Sequence, residues 1–374
     1  MKIAVASELF PPYLAGGGER RYYEILKRLA KKHEVHVYTM RIEGARKEEV
    51  LDGIHVHRLG IPHPLNRRKY LPLLVYMMRL NSAMRKYDFD IFDGNAYVSA
   101  MSGFYIAKYR KRPKVLTIHD IYGNKWGEYT HPLLGPVGKF IENTLLKLDF
   151  DRVITVSDAT KRLLIESRVP ESKIRVIYNG VDIKRFSGMK ATREEGKFIY
   201  VGRVVEQKNI ADLLRAFKIV HGKKPDTRLV IAGSGKDDKQ FLCMARDMGL
   251  SDSVEFRGFM EPNALVKEIA SAAALINPSR QEGFGLALLE AMCAGTPVVA
   301  YDLGAYGAFA ESGKNCILVR GRHEALAQGM LKVLDKKRWG MLSANGKKTA
   351  KKFAWEEAAK RTEKLYLEVI EENG

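Results

Sequence analysis

Short β-branched and apolar runs alternate with amphipathic helical stretches along nearly the whole chain, a pattern that only parallel sheets covered by helices accommodate well. Lys2–Ser7 (KIAVAS) reads as a fully buried first strand. Gly16-Gly17-Gly18 makes a turn, and Glu19–Lys31 follows as a helix with Tyr23, Leu26 and Leu29/Ala30 on one face. Further strands are predicted at Glu34–Thr39, Gly53–Leu59, Ile91–Phe92, Lys114–His119, Arg152–Val156 and Lys173–Tyr178. Asn179–Arg193 is polar with weak periodicity and reads as a linker. A second strand series then begins, at Lys197–Gly202, Arg228–Ile231, Val254–Phe256, Ala274–Asn277 and Pro297–Ala300, with helices at Ala325–Lys336 and Trp355–Glu371. At 374 residues and 46% hydrophobic, the chain exceeds the length at which one core stops growing, so two domains are expected.

No window approaches about 18 consecutive apolar residues, and Met1–Ser7 runs into a strand rather than a basic signal segment. A cytoplasmic protein is expected. Cys243, Cys293 and Cys316 are isolated, without zinc or redox spacing, and read as buried free thiols. The net charge of +19 is uneven: residues 1–190 hold 34 Lys/Arg against 20 Asp/Glu. Such an excess suits nucleic acid, an anionic membrane or a phosphorylated substrate. A nucleic-acid-binding protein is disfavoured, because neither a binding signature nor a basic patch interleaved with aromatics is found.

The most specific stretch is Pro278–Ala300, PSRQEGFGLALLEAMCAGTPVVA. Glu282 precedes Gly283-Phe284-Gly285, and a helix runs from about Leu286 to Ala294 before Gly295-Thr296-Pro297 ends it. A helix start with free N–H groups and flanking glycines suits an anion such as a phosphate. Glu282 and Glu290 are eight residues apart, about 12 Å along a helix, enough to grip hydroxyls at the two ends of one extended ligand. The plainer reading is a helix-start acid plus a buried or half-buried Glu290 in need of a partner, since Leu289, Ala291, Met292 and Cys293 surround it.

This Glu, seven residues, Glu pattern with GFG inside resembles the signature of glycosyltransferase family four, the group one enzymes. The resemblance extends through GGGER at 16–20, HD at 119–120, VSDATKR at 156–162, VIYNGVD at 176–182, VGRVVEQKN at 201–209 and IAGSG at 231–235. It implies an α/β protein of GT-B type: two Rossmann-like parallel-sheet domains facing a central cleft. Residues 1–185 would form the acceptor-binding domain and 186–354 the nucleotide-sugar domain, with 355–374 a helix returning to the first. It implies metal-independent, retaining hexosyl transfer from a nucleoside diphosphate sugar, UDP- or GDP-linked, to a lipid-linked, phosphorylated or saccharide acceptor. No cofactor is implied beyond that co-substrate.

Residue by residue, the resemblance assigns donor-sugar hydroxyls to Glu282 and the ribose to Glu290. Arg203 and Lys208 match the basic pair on the diphosphate, where fixed cations stabilise the leaving group without a metal. Gly202, Gly283, Phe284, Gly285 and Leu286 complete the donor-binding set. Gly16 and Gly17 match the loop by which the first domain approaches the phosphates, although GGGER lacks dinucleotide spacing and also reads as a structural turn. His119, at a predicted strand end, matches the histidine beside the reacting sugar, and Asp120 is read as orienting the loop.

Two DFD triplets, Asp88–Asp90 and Asp149–Asp151, imitate a metal-binding DxD motif. Each leads directly into an apolar strand, which explains the acids without a metal. Pro62–Tyr87 sets a basic cluster before an apolar helical run and admits two readings: an interfacial helix on anionic lipid, or a core helix with solvated ends. The first would make the protein peripheral on the inner face of the cell membrane. Gly304-Ala305-Tyr306-Gly307-Ala308 departs from the family's frequent Gly-Gly-x-Pro-Glu, and Cys316 from a frequent glycine, which leaves the donor-sugar contacts of that loop open. A nucleotide-sugar epimerase of the same fold is the rival enzyme.

Overall fold

A computed structural model gives the fold and describes residues 1–12, 16–64, 70–95, 97–129, 132–189 and 191–374. The chain divides into two units, Met1–Asn179 with Trp355–Gly374, and Gly180–Ala354.

The first unit is built on an eight-stranded sheet of β1 (Lys2–Ala6), β2 (Glu34–Ile42), β3 (Glu48–Leu51), β4 (Ile54–His63), β5 (Ile91–Asn95), β6 (Lys114–Ile118), β7 (Arg152–Thr155) and β8 (Ile174–Val176). Their order is β3-β4-β2-β1-β5-β6-β7-β8, and every pairing except β3 with β4 is parallel. Near-continuous apolar runs such as KIAVA suit strands covered on both faces. The antiparallel edge strand β3 was not expected, because EEVL carries two acids and little apolar pattern. Its turn, Asp52-Gly53, was the available signal: both residues have positive φ, as a two-residue hairpin requires.

The second unit holds β9 (Glu194–Val201), β10 (Arg228–Ala232), β11 (Val254–Gly258), β12 (Ala272–Asn277), β13 (Val298–Tyr301) and β14 (Ile317–Val319), all parallel, in the order β11-β10-β9-β12-β13-β14. The stretch read as a linker is structured. Asp182 caps a short helix, Ile183–Ser187, by accepting from the Arg185 N–H at 3.0 Å, and Phe186 is buried. Val181 N–H donates to Phe353 O at 2.8 Å, which explains why the division falls at Asn179 rather than at 185. The helix Lys336–Ala350 was not anticipated: Gly340, Gly346 and scattered lysines hide its narrow buried face of Leu342, Ser343, Gly346 and Ala350. The thiols Cys293 and Cys316 are buried, but Cys243 is exposed, since its helix turns Phe241 and Ala245 inward and Cys243 outward.

The helix Trp355–Asn373 belongs to the first unit, where it packs on the helix Gly17–Leu29. Arg28 bridges to Glu356 at 2.7 Å and His33 to Glu363 at 2.8 Å. A buried carboxylate fixes it further. Asp93, within β5, accepts from Tyr22 OH at 2.8 Å, from Thr117 Oγ1 at 3.1 Å and from Tyr366 OH of the terminal helix. Burial pushes the Asp93 carboxyl up to about 6, against the pull of these hydroxyls and of Arg21.

The folded state therefore keeps the Asp93 proton to higher pH than the unfolded chain, so this group's stabilising contribution declines as pH rises from about 4 through about 6. Asp93→Asn removes that decline. The difference in Tm, variant minus wild type, is expected to grow more positive between pH 4 and pH 7, equivalent to about 3 kcal/mol. Thermal unfolding across that range checks it, and a pH-independent difference contradicts it.

Candidate functional site

In an open parallel sheet, loops leaving adjacent strands in opposite directions open a crevice at the strands' carboxyl ends. In the second unit that point lies between β9, which continues toward β10, and its other neighbour β12. The loop after β9 carries Gly202, Arg203 and Lys208, and the loop after β12 carries Glu282 to Gly285. Sequence-distant residues thus meet: Lys208 Nζ lies 2.6 Å from Glu282 Oε1, and Asn277 Nδ2 donates to the same oxygen at 3.4 Å.

The meeting is clamped from beneath. Asn209, in the left-handed region at φ +56°, donates through Nδ2 to Pro278 O at 3.1 Å and to Asp212 Oδ2 at 2.9 Å. Tyr301 OH at 3.1 Å and Arg280 Nη2 at 3.3 Å donate to the same carboxylate. Asp212 is buried, which alone would raise its pKa, yet these donors hold it below the usual carboxylate range. One carboxylate therefore gathers both loops and the end of β13. Neither Asn209 nor Asp212 was singled out in the sequence, although Asn209 directly follows Lys208.

Glu282 is subject to the same opposition. Burial raises its pKa, but Lys208, and after it Ser279 and Asn277, outweigh burial and the net shift is downward, so the carboxylate is ionised at neutral pH. Arg203 is exposed and has no ion pair among the described residues. Its carbonyl accepts from Tyr200 OH at 2.8 Å, and Gly202 N–H donates to Ala232 O at 3.0 Å, which fixes the loop backbone beside the next strand. Gly283 and Leu286 are half-buried, whereas Phe284 is buried against Phe309 at 5.2 Å between ring centroids. Gly285 opens the helix Leu286–Ala294 at φ +93°, where a Cβ would also lie 2.6 Å from Tyr306 Cε1. Glu290, on that helix, is 3% exposed, so the expected buried acid is found, while Glu282 stays half-buried at the helix start.

The first unit has its own such point, between β1 and β5. His119 follows β6, and a chain of donors reaches it. Ser7 Oγ donates to Leu9 O at 2.8 Å, Asn95 Nδ2 donates to Ser7 Oγ at 2.9 Å, and Asn95 Oδ1 is left to accept from His119 Nε2 at 3.2 Å. This order leaves His119 Nδ1 as an acceptor. Burial, with the nearby Arg21 charge, pushes the ring's pKa down to about 3, so it is neutral at physiological pH. Gly18 is packed against it: a Cβ there would sit 3.1 Å from both Cδ2 and Nε2. Of the GGG run, Gly18 rather than the exposed Gly16 and Gly17 abuts the histidine. Neither Ser7 nor Asn95 was singled out in the sequence, and no local pattern around them marks the cluster. Asp120 Oδ1 accepts from Ile121 N–H at 2.8 Å, a local turn contact.

Both DFD triplets are occupied with structure. Asp90 accepts from Lys2 N–H at 2.7 Å, Asp88 pairs with Arg112, Asp149 with Lys173 and Asp151 with Lys114. Among the described residues no group of three or more His, Cys, Asp or Glu is placed to hold a metal ion.

With this geometry in hand, two family models match in tandem: Glycosyltransferase Family 4 over residues 15–185 and Glycosyl transferases group 1 over residues 184–353. The chain belongs to the group 1 glycosyltransferases. This group 1 glycosyltransferase is 29% identical over 403 residues to an uncharacterized glycosyltransferase of Methanocaldococcus jannaschii, covering 100% of both chains. It is 25% identical over 400 residues to the alpha-monoglucosyldiacylglycerol synthase of Acholeplasma laidlawii, covering 100% of this chain and 98% of that one. Among solved structures it resembles the sucrose-phosphate synthase of Thermosynechococcus elongatus, with TM-score 0.85, 22% identity and 98% of each chain covered. It also resembles Anabaena HepE in complex with UDP-glucose, with TM-score 0.78, 22% identity and 98% and 99% covered. These likenesses establish the GT-B fold.

The Lys208–Glu282 pair is mostly shielded, with side-chain exposures of 20% and 16%, so removing one partner leaves a poorly solvated charge. Lys208→Ala is expected to destabilise the second unit by about 2–3 kcal/mol at pH 7, and Lys208→Ala/Glu282→Gln to recover most of that. Because Glu282 has a depressed pKa, its contribution is present above about pH 4.5 and lost as pH falls through the folded value, so the single variant's defect should shrink in acid. Denaturant unfolding of the three proteins at pH 7 and pH 4 measures both effects, and an additive double variant contradicts the coupling.

Proposed function

We propose that this glycosyltransferase moves a hexosyl group from a nucleoside diphosphate sugar, UDP- or GDP-linked, to an acceptor with retention of configuration and without a metal. The observation that carries the reading is the convergence of Lys208 and Glu282 at the crevice of the second sheet, with Arg203, on the Lys208 loop, in no ion pair among the described residues. Arg203 and Lys208 are suited to the diphosphate, Glu282 to the hydroxyls of the sugar, and Glu290 to the ribose. The backbone of Gly283 to Leu286 supplies the helix-start N–H groups that favour an anion. The binding of UDP-glucose by the Anabaena neighbour agrees with this assignment.

In the step itself, the bond from the anomeric carbon to the β-phosphate oxygen breaks, and a bond to the acceptor oxygen forms on the same face. The acceptor proton passes to the departing phosphate. Two fixed cations stabilise the charge that develops on that phosphate. His119, neutral and fixed by Asn95, serves as a hydrogen-bonding group in the first unit's crevice, where the acceptor is assigned along with the Gly16–Gly17 loop. The ring is too weak a base to take the proton at neutral pH, which favours the phosphate in that role.

The acceptor is assigned as lipid-linked or held at an anionic membrane surface. The helix Tyr70–Met84 buries Tyr76, Leu80 and Met84 yet leaves Leu71, Leu74 and Met78 at 62%, 54% and 69% exposure on its other face. One face is packed and the other is apolar and open to solvent, which supports the interfacial reading of this helix. Exposed Arg79 lies within this helix and exposed Arg85 and Lys86 follow it, and the basic run Arg67, Arg68 and Lys69 lies outside the described residues. Among the described residues no helix is long and apolar enough to cross a membrane. The Acholeplasma relative, named for a glucosyldiacylglycerol product, is in keeping with a lipid acceptor.

Calorimetry with nucleoside diphosphates alone separates the two glutamates. Glu290→Gln is expected to weaken nucleotide binding by about tenfold or more, while Glu282→Gln spares it and lowers turnover by at least about tenfold. Turnover should survive EDTA and fall by orders of magnitude in Arg203→Ala. Equal binding losses in both glutamate variants, or an EDTA block reversed by manganese, would overturn the assignment.

For the membrane face, sedimentation with phosphatidylglycerol vesicles is expected to pellet the protein at low salt and release it at high salt, each basic residue near the surface contributing about 1 kcal/mol. Leu74→Ser/Met78→Ser, or Glu at 67, 68 and 69, should reduce pelleting. Full activity on a soluble saccharide without any pelleting contradicts this part.

A further inference from the structure

The loop after β13 places Tyr306 beneath the start of the Leu286–Ala294 helix, in the turn Gly304–Tyr306. The side chain is fully buried. Its ring lies so close to Gly285 that Cε1 and Cδ1 would be 2.6 and 2.8 Å from any Cβ there, and the Phe309 ring centroid is 6.2 Å away. All of that packing would be served equally by phenylalanine. The phenolic hydroxyl is different: it is buried and has no hydrogen-bond partner among the described residues. A buried hydroxyl left unpaired costs about 1–3 kcal/mol, which the structure does not recover as it stands.

The surroundings name a partner. Tyr200, the neighbouring phenol, already donates to Arg203 O at 2.8 Å. The acid on this side of the helix start is Glu282, three residues before Gly285, and its Oε1 is taken by Lys208 at 2.6 Å and by Asn277 at 3.4 Å. Burial, then the Glu282 charge, then Tyr200 raise the Tyr306 pKa well above its ordinary value, so the group remains an O–H donor. A carboxylate freed from its cation would be the strongest acceptor within this part of the second unit.

We propose that Tyr306 is a positioning residue whose hydroxyl takes over Glu282 when the donor's diphosphate draws Lys208 away. This rests on the donor assignment made above. Lys208 then has two partners in succession, the carboxylate before the nucleotide arrives and the phosphate after it. With Lys208 withdrawn, Glu282 keeps the long bond from Asn277 and the influence of the Ser279 hydroxyl, and lacks a replacement for its strongest donor when it is needed for the sugar hydroxyls. Tyr306 supplies that replacement, and the unsatisfied hydroxyl of the unliganded protein is what the exchange requires.

The test is Tyr306→Phe in the full chain, compared with wild type by thermal unfolding, by calorimetry with UDP and GDP, and by steady-state turnover of UDP-, GDP- and ADP-glucose, including their slow hydrolysis in the absence of acceptor. The expected result is an unliganded Tm equal to or above wild type, unchanged nucleotide affinity, a donor KM within about twofold, and a kcat lower by at least about tenfold. A Tm lowered by several degrees would show the hydroxyl already bonded and overturn the proposal. Unchanged kcat with normal nucleotide binding also overturns it and leaves the donor assignment intact. Failure of the wild type to bind or turn over any of the nucleotides and sugars removes the donor assignment itself, and the exchange with it.

Discussion

The ion pair of Lys208 with Glu282 is the contact on which the second unit's site depends, because it joins loops that leave two different strands. Parallel topology brings those loops together: β9 sits between β10 and β12, so the chain must depart on one side and return on the other. Convergence by topology leaves the side chains loosely placed. The Asp212 carboxylate removes that freedom by holding Asn209, Arg280 and Tyr301 at once, and Asn209 then binds Pro278 O. The two loops are thus held together by a network separate from the ion pair, so their backbones keep their places whichever partner Lys208 takes.

Much of this was legible in the residues. Strand and helix order followed from alternating apolar runs, because a strand buried on both faces has no other way to appear in sequence. The helix Leu286–Ala294 was delimited by Gly285 and Gly295, and both occupy left-handed backbone at its two ends. Arg203, Lys208 and Glu282 were found through motif position, and the structure brings the last two into contact across 74 residues of sequence.

Much of what stayed hidden depends on partners far away along the chain. Nothing around Asp93 announces that Tyr366, 273 residues later, will donate to it. Nothing in KIAVAS or IFDGN indicates that Ser7 and Asn95 fix the tautomer of His119. The helix Lys336–Ala350 is hidden for a different reason. Its buried face is Leu342, Ser343, Gly346 and Ala350, small or polar residues apart from the leucine, so the apolar pattern by which helices are usually read is nearly missing. The edge strand β3 is the contrary case, where the Asp52-Gly53 signal was present and its polar strand concealed it.

The two crevices arrive at opposite chemical states by the same means. Burial acts on both His119 and Glu282 against their charged forms. At His119 no carboxylate among the described residues answers it, and the Arg21 charge adds to it, so the ring is neutral down to about pH 3. At Glu282 the cation of Lys208 reverses it, and the carboxylate keeps its charge. Neither group therefore offers a proton at neutral pH. A reaction in which the leaving group needed protonation by an enzyme acid would find none in this pair, whereas a diphosphate leaving group, already anionic and of low basicity, needs cations rather than a proton. In the proposed assignment Arg203 and Lys208 supply these, and the electrostatics of both units favour the same chemistry that the loop geometry suggests.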